Sequence, residues 1–171
     1  YYKLGFIMAS FMIGLALGSF WAIRLLRDHT LGPEKIFYIY RRTQMGICLY
    51  PFFLPLVFFL FQRSAATQEQ AVLLATVYSV LPVVAGFIGG LQYPLANFLL
   101  SSQRPSQYRP FSMVAGRLYA ADTWGATLGA IVTGVIFIPI LGIEGVVVLC
   151  GVMNLSVLAM LMISPHPAIS S

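Results

Sequence analysis

The sequence predicts an all-α fold, a polytopic transmembrane helix bundle of about five spanning helices, and three observations carry that expectation. Hydrophobic residues make up 59% of the chain and charged residues only 9%, against roughly a quarter in soluble domains. Ten Lys and Arg with five Asp and Glu are too few to coat a soluble core built from 171 residues. These charges fall largely between apolar runs, and five such runs reach or approach the length of about 20 residues that a spanning helix needs.

The first span is read at 4–26, the second at 45–62, the third at 71–100, the fourth at 114–139 and the fifth at 143–163. Together they make one helical domain over 1–163, followed by an uncharged tail, SPHPAISS at 164–171, expected to be disordered. Ahead of the short second span, Pro33 to Tyr40 has the composition of a brief interfacial helix. The third span would run about 45 Å if straight, against a hydrocarbon core of roughly 30 Å, so it must tilt, kink or protrude. Pro82, Gly86, Gly89, Gly90 and Pro94 supply places to bend. A tight turn, Pro139-Ile140-Leu141-Gly142 next to Glu144, separates the fourth span from the fifth.

Basic residues orient the bundle. Arg24, Arg27, Lys35, Arg41 and Arg42 flank or fill the first connection, and Arg104, Arg109 and Arg117 the third, whereas the second carries only Arg63 against Glu69. The positive-inside rule then puts the N-terminus outside and the C-terminus inside, in the cell (inner) membrane. The chain opens YYKLGF, with neither an initiator Met nor a signal-peptide n-region, which predicts that it continues from a longer or processed polypeptide.

Two runs of small residues have the four-residue spacing that lets membrane helices approach closely: Ser10, Gly14 and Gly18 in the first span, and Ala121, Gly125 and Gly129 in the fourth. At about 100° per residue, Asp122 lies roughly 60° to one side of Gly125 and Arg117 roughly 80° to the other. The two straddle the seam and are not i,i+4 partners. Asp122 is therefore expected to face a neighbouring helix more than lipid, about 12 Å along from Val114. The topology gathers Arg24, Gln92, Tyr93, Asn97, Arg117, Tyr119 and Asp122 into one leaflet, a polar intramembrane cluster with a structural, ion-binding or substrate-binding role. Internal partners for Asp122 are Arg24, Gln92, Tyr93 and Asn97, and the external one is another subunit.

Several chemistries are excluded. No basic stripe with interleaved aromatics or zinc spacing accompanies the net charge of +5, so nucleic acid is not an expected partner. His29 and His166 both fall outside the spans, which leaves haem without paired ligands and a metal without a cluster; no cofactor is expected. Cys48 and Cys150 lie in apolar runs and read as small buried hydrophobes. No nucleophile elbow accompanies the histidines, so no catalytic residue is assigned.

FMIGLALGSF at 11–20, GFIGGLQYPLANFLL at 86–100, and GRLYAADTWGATLGAIVTG at 116–134 followed by IPILGIEG at 138–145 resemble the membrane-embedded region of bacterial integral-membrane spermidine-synthase-like proteins, also called fused MFS/spermidine synthases. The resemblance runs from Lys3 to Ile163 and implies a helix bundle accompanied, in that family, by a cytoplasmic aminopropyltransferase-type Rossmann domain. That domain's strand, glycine-rich turn and acidic ribose-binding residue are absent from these residues, as is the Gly-x-x-x-Asp-Arg-x-Gly loop of the transporters. The expectation is a non-catalytic membrane subunit, or membrane half, that anchors or assembles a larger complex. Its partners would be the bilayer and protein subunits or a missing part of the same polypeptide. The alternative is a small-molecule or polyamine transporter using the polar cluster.

Overall fold

A computed structural model describes residues 2–27, 31–62, 68–102 and 111–163. Among these the chain is all-helical: α1 (Tyr2–Leu26), α2 (Pro33–Gln62), α3 (Gln68–Ser102), α4 (Phe111–Val132), a π-helical turn (Thr133–Phe137) and α5 (Ile138–Ile163). Three stretches are long and apolar enough to cross a membrane: Leu4–Leu26, Thr76–Ser102 and the 52 residues Ser112–Ile163. The expected tail at 164–171 lies outside the described residues.

α1 and α3 form the closest pair, and glycine is the reason. A Cβ on Gly14 would overlap the carbonyl oxygen of Val83, one on Gly18 that of Phe87, one on Gly86 that of Phe11 and one on Gly90 that of Leu15. Position 14 meets 83 and 18 meets 87, so the helices run parallel. They touch backbone to backbone, the geometry that small residues at four-residue spacing permit and that dispersion rewards between apolar helices. Ser10, on the same stripe, is 6% exposed.

Pro94 leaves the carbonyl of Gly90 without its helical donor, because proline has no N–H to return to the residue four before it. The Ser19 hydroxyl of α1 fills that vacancy, donating to the Gly90 oxygen at 3.1 Å. A helix break that would be costly in lipid becomes a link between two helices.

α2 runs antiparallel to α3. Gln44 meets Gln92, and six residues further along α2 the Tyr50 hydroxyl donates to the Leu81 carbonyl at 2.9 Å. α2 is a single helix from Pro33 through Gln62, with no break between the expected interfacial piece and the second span. Nothing between Tyr40 and Met45 (Arg41, Arg42, Thr43, Gln44) is a helix breaker, so the two merge. Ile36 and Phe37 of α2, Ala22 of α1 and Leu95 and Leu99 of α3 make the buried core, with Leu161 of α5 against it. Gly151 of α5 abuts the Phe52 ring, so α5 runs antiparallel to α2.

The turn between the fourth and fifth predicted spans is narrower than the sequence suggests. Helix continues through Pro139, Ile140 and Leu141 and breaks only at Gly142, whose φ of 71° suits glycine. Pro139 is accommodated by the π turn before it, in which the Ile138 N–H reaches back to the Thr133 oxygen; the widened turn makes room for the proline ring. Cys48 is buried as expected, but Cys150 is exposed, because it lies on the outer side of α5.

Two outcomes follow from the seam. Gly14→Leu should destabilise the bundle by about 2–3 kcal/mol in detergent unfolding followed by circular dichroism, while Gly5→Leu, with nothing within 4 Å of its Cβ, should be neutral. Ser19→Ala should cost about 1 kcal/mol in the same assay, and adding Pro94→Ala, which restores the missing N–H, should recover most of it.

Candidate functional site

The predicted polar cluster divides between two places. Gln92 turns toward α2, where its Nε2 donates to Oε1 of Gln44, a residue only 4% exposed. Tyr93, one residue on and about 100° around the helix, points the other way and donates to the Ala115 carbonyl of α4 at 3.3 Å. Asn97 is 6% exposed, and its Oδ1 accepts no hydrogen bond. Arg24 is exposed in the last turn of α1.

α4 stands apart from the rest. Every residue from Tyr119 to Ile131 is exposed, Asp122 among them, and Arg117 is exposed a turn earlier. Gly125 and Gly129 have nothing within 4 Å of where a Cβ would stand. The Ala121-Gly125-Gly129 stripe therefore faces no other part of the described chain, so none of the internal partners expected for Asp122 meets it. The small-residue face of α3, Gly86 and Gly90, is already filled by α1. α4 is left with the edge of α3 at Tyr93.

Asp122 makes no hydrogen bond or ion pair with Arg24, Gln92, Tyr93 or Asn97, and among the described residues it has no partner. Its neighbours on the helix are self-sufficient. Thr123 donates to the Tyr119 carbonyl and Thr127 to the Thr123 carbonyl, each at 2.8 Å, which satisfies both hydroxyls within α4. The carboxylate alone is left to be met from outside.

Sequence reasoning passed over Gln44 and Thr43, the two polar residues buried on α2. Thr43 is satisfied locally, its hydroxyl donating to the Ile39 carbonyl at 3.0 Å. The available signal was that Thr43 and Gln44 fall on the same helical face as Ile36, Phe37 and Tyr40. Burial pushes the Tyr40 phenol above its usual range. Among the described residues no three His, Cys, Asp or Glu side chains converge.

Among the described residues these features define an all-helical protein with three stretches apolar enough to cross a membrane, one tightly packed trio of helices and one helix left open. No family model, curated protein or solved structure matches the chain.

The Gln44–Gln92 bridge has a testable energetic signature. Gln44→Leu should destabilise by about 1 kcal/mol by stranding the Gln92 amide. Gln44→Leu with Gln92→Leu should return close to the starting stability, so a double-mutant cycle in detergent should show coupling of that size.

Proposed function

We propose that this chain is a non-catalytic membrane module that anchors or assembles a larger complex, the membrane subunit or membrane half of a protein like the spermidine-synthase-like family its motifs resemble. It crosses the cell (inner) membrane five times, with the N-terminus out and the C-terminus in. The alternating directions of α1, α2 and α3 support that path, as does the gathering of Arg24, Arg27, Lys35, Arg41 and Arg42 at one end of the bundle. The 52 residues from Ser112 to Ile163 would run about 78 Å as one straight helix, far beyond one crossing, which supports two crossings parted at Gly142.

The observation that carries the assembly reading is Asp122. A carboxylate facing lipid from an apolar helix costs a few kcal/mol unless something pairs with it, and its setting is a smooth stripe of Ala121, Gly125 and Gly129. The occupant that fits is a transmembrane helix of the larger assembly, with small side chains along its seam and a basic or amide donor at the depth of Asp122. A transport site finds less support. Gln92, Tyr93 and Asp122 point into three different surroundings and leave no shared polar chamber.

A photo-crosslinking residue in place of Gly129, activated in native membranes, should yield an adduct with a transmembrane segment of that chemistry. Asp122→Leu should reduce the adduct severalfold. Adducts with lipid alone, unchanged by Asp122→Leu, would sink the assembly reading. Proteoliposome counterflow of a labelled polyamine that Asp122→Asn abolishes would replace it with transport.

A further inference from the structure

Outside α4 the most concentrated charge lies on the first third of α2. Ile36, Phe37, Thr43 and Gln44 are buried against the bundle. On the opposite side of the helix Lys35, Tyr38 and Arg42 fall within about 60° of one another, with Arg41 about 60° beyond Tyr38. Lys35, Tyr38 and Arg42 are exposed and Arg41 is partly so. The Arg41 guanidinium sits 5.9 Å from the centre of the Tyr38 ring and that of Arg42 5.8 Å, so one aromatic side chain holds two cations close together. Glu34 is the only acid on this part of α2, and among the described residues none of the three cations has an ion-pair partner.

Depth identifies what meets them. The outward side of α2 becomes apolar at Met45 and continues through Leu49, Phe53 and Leu56, all exposed. Arg41 and Arg42 precede Met45 by four and three residues, about 5–6 Å along the axis. The polar zone of each leaflet is roughly 5–8 Å thick outside the hydrocarbon. Both guanidiniums therefore stand at the level of the lipid phosphates, Arg42 on the face turned away from the protein and Arg41 at its edge. Lys35 lies two turns further out, where its flexible ammonium adds positive potential. Two guanidiniums close to one aromatic ring, with no counter-ion among the described residues and above an apolar stripe, match a phosphate on a headgroup whose acyl chains descend along Met45 and Leu49.

We propose that Tyr38, Arg41 and Arg42, with Lys35 at its outer edge, form a binding site for the headgroup of an anionic phospholipid. The site rests on α2 crossing the bilayer, as the proposed topology has it, but not on the identity of any partner of α4.

The test uses the full chain in nanodiscs or mixed micelles that contain phosphatidylglycerol or phosphatidylcholine, with retained lipid counted by native mass spectrometry at low salt. Alkaline carbonate extraction of the source membranes first shows whether the chain is integral; if it is not, the membrane reading itself has failed. For an integral chain, the native protein should retain the anionic lipid in preference to the zwitterionic one. Arg41→Gln with Arg42→Gln should lower that preference by about thirtyfold. Tyr38→Phe should keep the preference and Tyr38→Ala should weaken it, since the ring and not the hydroxyl aligns the guanidiniums. Arg24→Gln with Arg27→Gln, which removes the same net charge nearby, should change it far less. Equal retention of both lipids, survival of the preference in the Arg41 and Arg42 double variant, or an equal loss in the Arg24 and Arg27 control would each overturn the site. Inorganic phosphate tests the source of the anion. Failure of millimolar phosphate to displace the lipid supports a headgroup, and displacement would make this a soluble-anion site.

Discussion

The backbone contact between α1 and α3 is the constraint on which the rest of the structure depends. Four glycines, Gly14 and Gly18 facing Gly86 and Gly90, bring the two helices so close that any side chain on the seam would occupy a carbonyl oxygen of the other helix. In a bilayer the hydrophobic effect does not drive helices together, because lipid tails are as apolar as leucine; close packing and satisfied polar groups must do so. The same closeness lets the short Ser19 side chain reach the carbonyl stranded by Pro94. Close approach and proline repair are therefore one feature.

α2 joins this pair by different means. It has no glycine stripe toward α3 and is linked through longer side chains, Gln44 to Gln92 and Tyr50 to the Leu81 carbonyl, with Ile36 and Phe37 filling the core at one end. Its position turns the apolar and amide face of its first third inward. The basic face, Lys35, Tyr38 and Arg42, is turned outward by the same rotation. One helix thus closes the core with one face and presents its cations on the other.

α4 shows the reverse consequence. The small-residue face of α3, Gly86 and Gly90, is occupied by α1, and no other helix of the described chain covers the stripe of α4. The open stripe of α4, the unpartnered Asp122 and the light contact through Tyr93 all stem from that allocation. The carboxylate is not part of an internal polar chamber, because Gln92 and Tyr93, adjacent in sequence, leave α3 on different sides.

Composition and spacing alone determined that the chain is helical and apolar enough for membranes, since unbroken apolar runs of about 20 residues satisfy their backbone in lipid as helices, whereas barrel strands are shorter and alternate. They also marked Ser10, Gly14 and Gly18 as a contact face, because a four-residue repeat of small side chains survives any choice of partner. Which face mates with which was decided only by the tertiary structure. The repeats at Gly14 and Gly125 look alike in sequence, yet one is filled and the other open, because pairing depends on the surface a neighbouring helix presents. The merging of the interfacial piece with α2, the shift of the turn to Gly142 and the Gln44–Gln92 bridge were likewise decided only in the structure. The bridge joins residues 48 apart, which a one-dimensional pattern does not bring together, while the merger and the turn shift are local backbone outcomes that hydrophobic patterning does not resolve.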